Sequence, residues 1–242
     1  MDNIIEITGV KISNISFNDL IAAITDSISQ NKKLLITYAN ANSINLCFPN
    51  KEFKELLNSL FQVHPDGVGV YYASKFLYRG NGFKARFSGS DFYPILSEHI
   101  ISQNLKTYFF GHSVETLQKI SLHYPKLKVC GYSEGYNYDN RLLINEINRL
   151  KPDILIVGLG QPLQENWISE NYKLIDINVI ISVGDGIKVF AGEKKRGPAF
   201  MQKIGLEWLI RLFFNPLKYF SRYILGIPIF LYRIIRAKLI KL

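Results

Sequence analysis

Asp66 stands between Pro65 and Gly67 at an expected strand end, where a loop can hold a carboxylate over a crevice. A carboxylate placed there can act as a general base, taking the proton from an attacking hydroxyl. The same Pro-Asp-Gly string also suits a turn aspartate that bonds its own backbone. Arg86 precedes Gly89-Ser90-Asp91, a unit that opens a predicted helix with Ser90 as its cap. Arginine suits bidentate phosphate contact, with a surface Arg beside a capped helix as the plain alternative. Gln161, Pro162, Gln164 and Glu165 follow Gly158 and Gly160 at a strand-to-helix junction. Two amides and an acid there can fork onto a sugar or a base, or Glu165 can simply favour the first helical turn. His64, His99, His112 and His123 lack metal-ligand spacing, and no Asp-x-Asp pair exists to hold a divalent ion on a diphosphate. A metal-independent site without cofactor is therefore expected.

These residues need elements to position them. Continuous apolar runs predict strands over 33–38, 106–110, 126–131, 153–158 and 178–183, with a further short one over 61–64. Such runs, without in/out alternation, mark strands covered on both faces. Helix-length segments over 114–124, 140–150 and 164–174 lie between them, so the expected fold is α/β. It is Rossmann-like, a mostly parallel sheet with helices on both faces. Ligands bind such sheets beyond the carboxyl ends of the strands. Asn40, Asp66, Gly111, Gly160 and Gly184 all follow predicted strands. Glycine turns that open helices suit a diphosphate, although glycine also simply ends strands. No Rossmann dinucleotide or P-loop glycine fingerprint is present, which weighs against a nucleotide-dependent oxidoreductase or hydrolase.

The chain has 242 residues, 48% of them hydrophobic, enough for a core without disulfides. Cys47 and Cys130 form no cluster and suit a reducing cytoplasm. The N-terminus has no signal-peptide pattern, and no apolar run is long enough to predict a spanning helix. The net charge of +9 falls entirely in residues 193–242, which hold eleven Lys/Arg against Glu193 and Glu207. The expected organisation is an α/β domain over 1–192 and a basic, aromatic helical appendage over 193–242. Polar residues Glu207, Arg211, Asn215, Lys218 and Arg222 recur at helical spacing, with Trp208, Leu212, Phe213, Tyr219 and Phe220 around them. Pro216 is expected to divide this segment and Pro228 to break the next. A basic face beside an aromatic face fits an interfacial helix on anionic lipid, with Arg233 and Arg236 near its end. Nucleic acid fits less well, because polar spacers between stacked aromatics are missing.

Taken in order, the motifs resemble the WecG/TagA/CpsF family of bacterial glycosyltransferases, glycosyltransferase family 26, over nearly the full length. They are Gly9-Val10-Lys11-Ile12, Asn40-Ala41, Pro65-Asp66-Gly67-Val68-Gly69, Arg86 with Gly89-Ser90-Asp91, and Pro152-Asp153-Ile154. The most specific stretch is Val157 to Ile168, through Gly160, Pro162, Gln164, Glu165 and Trp167. Gly184, Ala191-Gly192, Arg196, Pro198, Gly205 to Arg211, Pro216 and Arg222-Tyr223 follow.

The resemblance implies inverting transfer from a UDP-sugar (N-acetylmannosamine, its uronic acid or a hexose) to a polyprenyl-diphosphate-linked saccharide in cell-surface polysaccharide synthesis. It implies Asp66 as the base, Asn40, Arg86 and Gln164 as donor contacts, and a C-terminus that tethers the enzyme to the inner leaflet. Arg211, Lys218, Arg222, Arg233 and Arg236 are the basic residues expected at the membrane or acceptor. The alternative is a non-catalytic nucleotide-sugar or membrane-binding protein on the same fold. A homo-oligomer is compatible with the sequence. Tyr38 departs from the family, which often has Thr two residues before the Asn, and Thr37 lies one residue further away. Arg196-Gly197-Pro198-Ala199-Phe200 replaces Arg-Ala-Pro-x-Trp, and Asp185 follows Gly184 where a second glycine is usual.

Overall fold

The computed structural model describes residues 4–194, 197–198, 201 and 205–240. Arg196, Ala199 and Phe200 lie outside the described residues, as do the side chains of Arg211 and Lys218. The chain opens with an antiparallel hairpin, β1 (Ile4–Ile7) and β2 (Val10–Ser13), turned by Thr8 and Gly9 at positive φ. Its Ile5, Ile7, Val10 and Ile12 are buried, which explains the alternation of isoleucines along it.

Six further strands form one parallel sheet: β3 (Leu34–Ala39), β4 (Gln62–Pro65), β5 (Lys106–Phe110), β6 (Lys128–Ser133), β7 (Ile154–Val157) and β8 (Val179–Ser182). Their order is β4-β3-β8-β7-β5-β6. The strands read as unbroken apolar runs because both faces are covered. Along β7, Ile154 and Ile156 enter one hydrophobic cluster while Leu155 and Val157 enter the other. One cluster takes α1 (Phe17–Ser29), and the other takes α2 (Ala41–Cys47), α3 (Lys51–Leu60) and α4 (Val68–Leu77). Of the later helices, α5 (Gly89–Ser102), α6 (Val114–His123) and α9 (Ile187–Phe190) pack with α1; α7 (Asn140–Leu150) and α8 (Leu163–Asn171) pack on the opposite face. Strand and helix bounds thus follow the sequence expectation to within a few residues; the hairpin is an addition to it.

From residue 205 on, the described tail is helical over α10 (Glu207–Phe214), α11 (Pro216–Phe220) and α12 (Gly226–Ile240). Pro216 does divide it, standing at the first position of α11, where its missing N–H costs nothing. Pro228 does not break the chain. It is the third residue of α12, after a single π-helical turn over Ser221–Leu225, and a first helical turn tolerates proline. α12 lies against α2 and α4 and sends Phe230 and Ile234 into the core beside them. Polar anchors hold it: Arg233 Nη1 donates to Asn45 Oδ1 and O at 2.8 and 3.0 Å, and Asn45 Nδ2 donates to Gly226 O at 2.7 Å. Lys238 Nζ donates to Leu77 O, at the C-terminal end of α4, at 3.0 Å.

Candidate active site

Register builds the site. Ala39 pairs with Pro65 across β3 and β4, so the residues that follow, Asn40 and Asp66, emerge side by side at the carboxyl edge. Asp66 N–H donates to Ala39 O at 2.8 Å, and Gly67 N–H to Phe87 O at 2.8 Å, which fixes the turn. Asp66 Oδ1 accepts the Gly89 N–H at 3.0 Å, and Oδ2 accepts from Asn40 Nδ2 at 3.3 Å. Gly89 is the first residue of α5, and the cap residue is Ser88, whose side chain makes no capping bond. Ser90 is therefore inside the helix and not its cap. A carboxylate from 23 residues upstream satisfies the helix end instead, where the dipole favours negative charge. Asn40 caps α2, its Oδ1 accepting from Asn42 and Ser43 N–H at 3.0 and 3.1 Å.

Asp66 opens into a cavity of about 510 Å³ between the sheet edge, α4 and the tail. Its charged lining is Asp66, Arg86, Asp185, Lys194, Glu207 and Arg222, with Asn40 beside Asp66; its apolar lining includes Tyr72, Phe76, Trp208, Phe230, Leu231 and Ile235. Arg86, Lys194 and Arg222 are its cations, set beside three carboxylates, and can meet the charge of a departing diphosphate. Lys194, mostly buried, pairs with Asp185 Oδ2 at 2.6 Å, and Arg86 stands 4.0 Å from Asp91. The π-helical turn carries Arg222 and Tyr223 to the lining, with the guanidinium 5.6 Å from the Tyr223 ring. Among the described residues, no three His, Cys, Asp or Glu side chains are grouped as metal ligands.

The structure divides the sequence candidates. Asn40, Asp66, Arg86 and Arg222 meet at the cavity, as does Asp185, while Gly111, Gly160, Gln164, Glu165 and Gly184 lie outside its lining. Gln164 is buried, and its Oε1 accepts the Gly184 and Gly160 N–H groups at 2.9 and 3.2 Å. Glu165 is fully enclosed; its Oε1 accepts from Thr37 Oγ1 at 2.6 Å, Gln164 Nε2 at 2.8 Å and Gln161 Nε2 at 3.1 Å. Burial holds its carboxyl above the ordinary carboxylate range, against the opposing pull of those hydrogen bonds. Thr37 thus serves the interior. Gly111 serves packing, since at φ +117° a Cβ would lie 2.6 Å from the Gly158 carbonyl carbon. At Gly184 a Cβ would lie 2.6 Å from Tyr38 Oη, so the glycine makes room for the phenol that lines the cavity. Burial, with Glu165 nearby, pushes the Tyr38 phenol up, so it stays a neutral hydroxyl. Arg233 is spent on α2, with its guanidinium 4.1 Å over the Phe48 ring, whereas Arg236 is exposed. Sequence reasoning missed Lys194, Glu207 and Trp208 as cavity residues; Lys194 opens the basic stretch just beyond Gly192, the one signal that pointed to it.

A carboxylate and converging cations at the carboxyl edge of a doubly wound sheet define an α/β group-transfer architecture. The chain belongs to the glycosyl transferase WecG/TagA/CpsF family, whose model matches residues 5–242, and it is a glycosyltransferase. It is 31% identical over 208 residues to an N-acetylglucosaminyldiphosphoundecaprenol N-acetyl-beta-D-mannosaminyltransferase of Bacillus spizizenii, covering 84% of this chain and 79% of that one. A transferase of the same name from Bacillus subtilis is 31% identical over 205 residues, 83% of this chain and 78% of its own. One from Staphylococcus aureus is 27% identical over 240 residues, 97% of this chain and 93% of its own.

Proposed function

We propose that this glycosyltransferase moves an N-acetylmannosamine-type sugar from a UDP-sugar to a polyprenyl-diphosphate-linked saccharide, with inversion and without a divalent metal. The names of its relatives supply the acceptor class and the sugar. The observation that carries the mechanism is the Asp66 carboxylate, held at a cavity that also collects Arg86, Lys194 and Arg222. Each Asp66 oxygen takes one N–H, from Gly89 or Asn40, and keeps a lone pair for an acceptor hydroxyl. The hydroxyl oxygen forms the new bond to the anomeric carbon while its proton passes to Asp66. The bond from that carbon to the diphosphate breaks, and its electron pair leaves on UDP, through an oxocarbenium-like state. The lining cations stabilise that charge as it develops.

We place the enzyme peripherally on the inner face of the cell membrane. Among the described residues no helix is long and apolar enough to cross a membrane. Phe213 and Leu217 are 81% and 96% exposed, and both suit insertion into a lipid surface. Screening UDP-sugars for UDP release with a short-chain polyprenyl-diphosphate-linked N-acetylglucosamine acceptor tests the reading. Turnover with UDP-N-acetylmannosamine is expected, and release that does not depend on the acceptor would refute transfer.

A further inference from the structure

Glu165 is wholly enclosed in the first turn of α8, an ionisable group that the transfer itself does not touch. Its Oε1 collects three donors while Oε2 has no hydrogen-bond partner among the described residues. One of those donors starts a continuous chain toward the cavity. Gln161 gives one Nε2 hydrogen to Glu165 and the other to Tyr38 O at 2.8 Å, which fixes the amide. The Gln161 Oε1 then accepts the Ser43 hydroxyl at 2.5 Å, and Ser43 Oγ accepts the Asn40 N–H at 3.0 Å. Asn40 Nδ2 donates to Asp66 Oδ2. Each link has a donor and an acceptor, the Ser43 hydroxyl lying closer to Gln161 Oε1 than to Asn40 Oδ1 at 3.2 Å, and Ser43 is also fully buried. The chain joins α8, the end of β3, the cap of α2 and the turn after β4. A lone buried carboxyl is costly, and an apolar side chain would fill its place at less expense. A buried hydrogen-bonded network instead specifies one arrangement of the groups it joins.

We propose that Glu165 is a positioning residue: through Gln161, Ser43 and Asn40 it fixes the orientation in which Asp66 meets the acceptor. The proposal rests on Asp66 being the base, and its test separates the two.

The enzyme is assayed as Glu165→Ala, Glu165→Gln and Ser43→Ala, each alone and combined with Asp66→Asn, measuring kcat and UDP affinity. Misplacing a reacting group by about an ångström costs about 10- to 100-fold in rate, the loss expected in kcat for Glu165→Ala. UDP affinity should stay within about threefold, because only the acceptor's proton transfer is disturbed. Glu165→Gln keeps an accepting oxygen and should restore kcat to within about threefold of wild type. Ser43→Ala cuts the chain without touching α8 and should lower kcat in the same direction. On the Asp66→Asn background neither Glu165→Ala nor Ser43→Ala should cost anything further, since residues acting as one unit are not additive. Losses that multiply on that background, or a fall in UDP affinity matching the fall in kcat, would overturn the proposal. If Glu165→Ala does not fold, wild-type kcat in Ser43→Ala overturns it alone. An inactive Asp66→Asn beside fully active Glu165 and Ser43 variants sinks the positioning role and leaves the base standing. A fully active Asp66→Asn removes both.

Discussion

Replacing Asp66 by Asn separates catalysis from architecture. The amide keeps an oxygen for the Gly89 N–H, so α5 retains its cap. Its nitrogen then faces Asn40 Nδ2, a donor against a donor, and Asn40 cannot turn over because its Oδ1 already accepts from Asn42 and Ser43. The stability loss is one hydrogen bond to a charged group, about 1.5 kcal/mol, plus about 0.5 kcal/mol of lost charge at the N-terminus of α5. For a chain of this size, about 2 kcal/mol lowers Tm by about 4–8 °C, leaving a folded enzyme. The catalytic loss is different in kind. An amide cannot take the acceptor proton, so kcat should fall by about 10²-fold or more, equivalent to about 2.7 kcal/mol of barrier. UDP affinity should stay within about threefold, because the proposed transfer sets the diphosphate against the cations and not against Asp66. The assay is UDP release with a soluble-chain acceptor, beside calorimetric titration of UDP. Turnover within a few-fold of wild type in a folded variant would remove Asp66 from the mechanism.

Arg86→Ala should weaken UDP and UDP-sugar together by about 10- to 100-fold in titration, as loss of a charge-assisted contact worth about 1.5–3 kcal/mol requires. Activity should persist in EDTA, and loss restored only by Mg²⁺ or Mn²⁺ would show a metal at the diphosphate. Glu165 has its folded carboxyl raised by burial above an unfolded value near 4.5, so its contribution to stability is present below that value and falls as pH rises toward the folded value. Glu165→Gln, neutral throughout, should therefore gain in urea-melt stability relative to wild type between pH 4.5 and pH 7.5. Phe213→Ser with Leu217→Ser should weaken the salt-resistant part of binding to anionic vesicles while Tm stays within about 2 °C, since surface substitutions away from packed groups rarely exceed about 0.5 kcal/mol each.

Asp66 and Asn40 were legible because strand ends are legible: an unbroken apolar run stops, and the next polar residue enters the crevice, whereas Arg86 was legible as a cation ahead of a helix start. Gln164 and Glu165 were legible as residues of a junction, yet their direction was not. Leu163, beside them in α8, is exposed while both are buried, and only the rotation of the helix against β3 and β8 decides which residue turns inward. The cap of α5 was misplaced for a related reason. Local spacing favoured Ser90, whereas the group that satisfies the helix end arrives from another strand. The β1–β2 hairpin escaped because its isoleucines alternate with polar residues, whereas the equally short β7 and β8 stood out as unbroken apolar runs, and only Thr8-Gly9 between alternating apolar pairs marked it.

The tail raises a different difficulty, because one sequence pattern serves two surfaces. Its basic and aromatic residues predicted lipid contact throughout, but α12 spends Arg233 and Lys238 on α2 and α4 and buries Phe230 and Ile234. Removing the whole tail would therefore uncover Val70, Ala73 and Ile44 of the core as well as any lipid-binding face. Loss of activity on truncation cannot distinguish the two. The exposed Phe213 and Leu217 can, because they lie on α10 and α11, ahead of the helix that completes the core. Outward apolar side chains run along the whole tail, from Phe213 and Leu217 to Ile229, Tyr232 and Leu239 of α12, while Trp208 of α10 and Phe230 of α12 line the cavity that holds Asp66. A membrane surface reached by the outward side chains would therefore bring the acceptor to the mouth that the same helices frame.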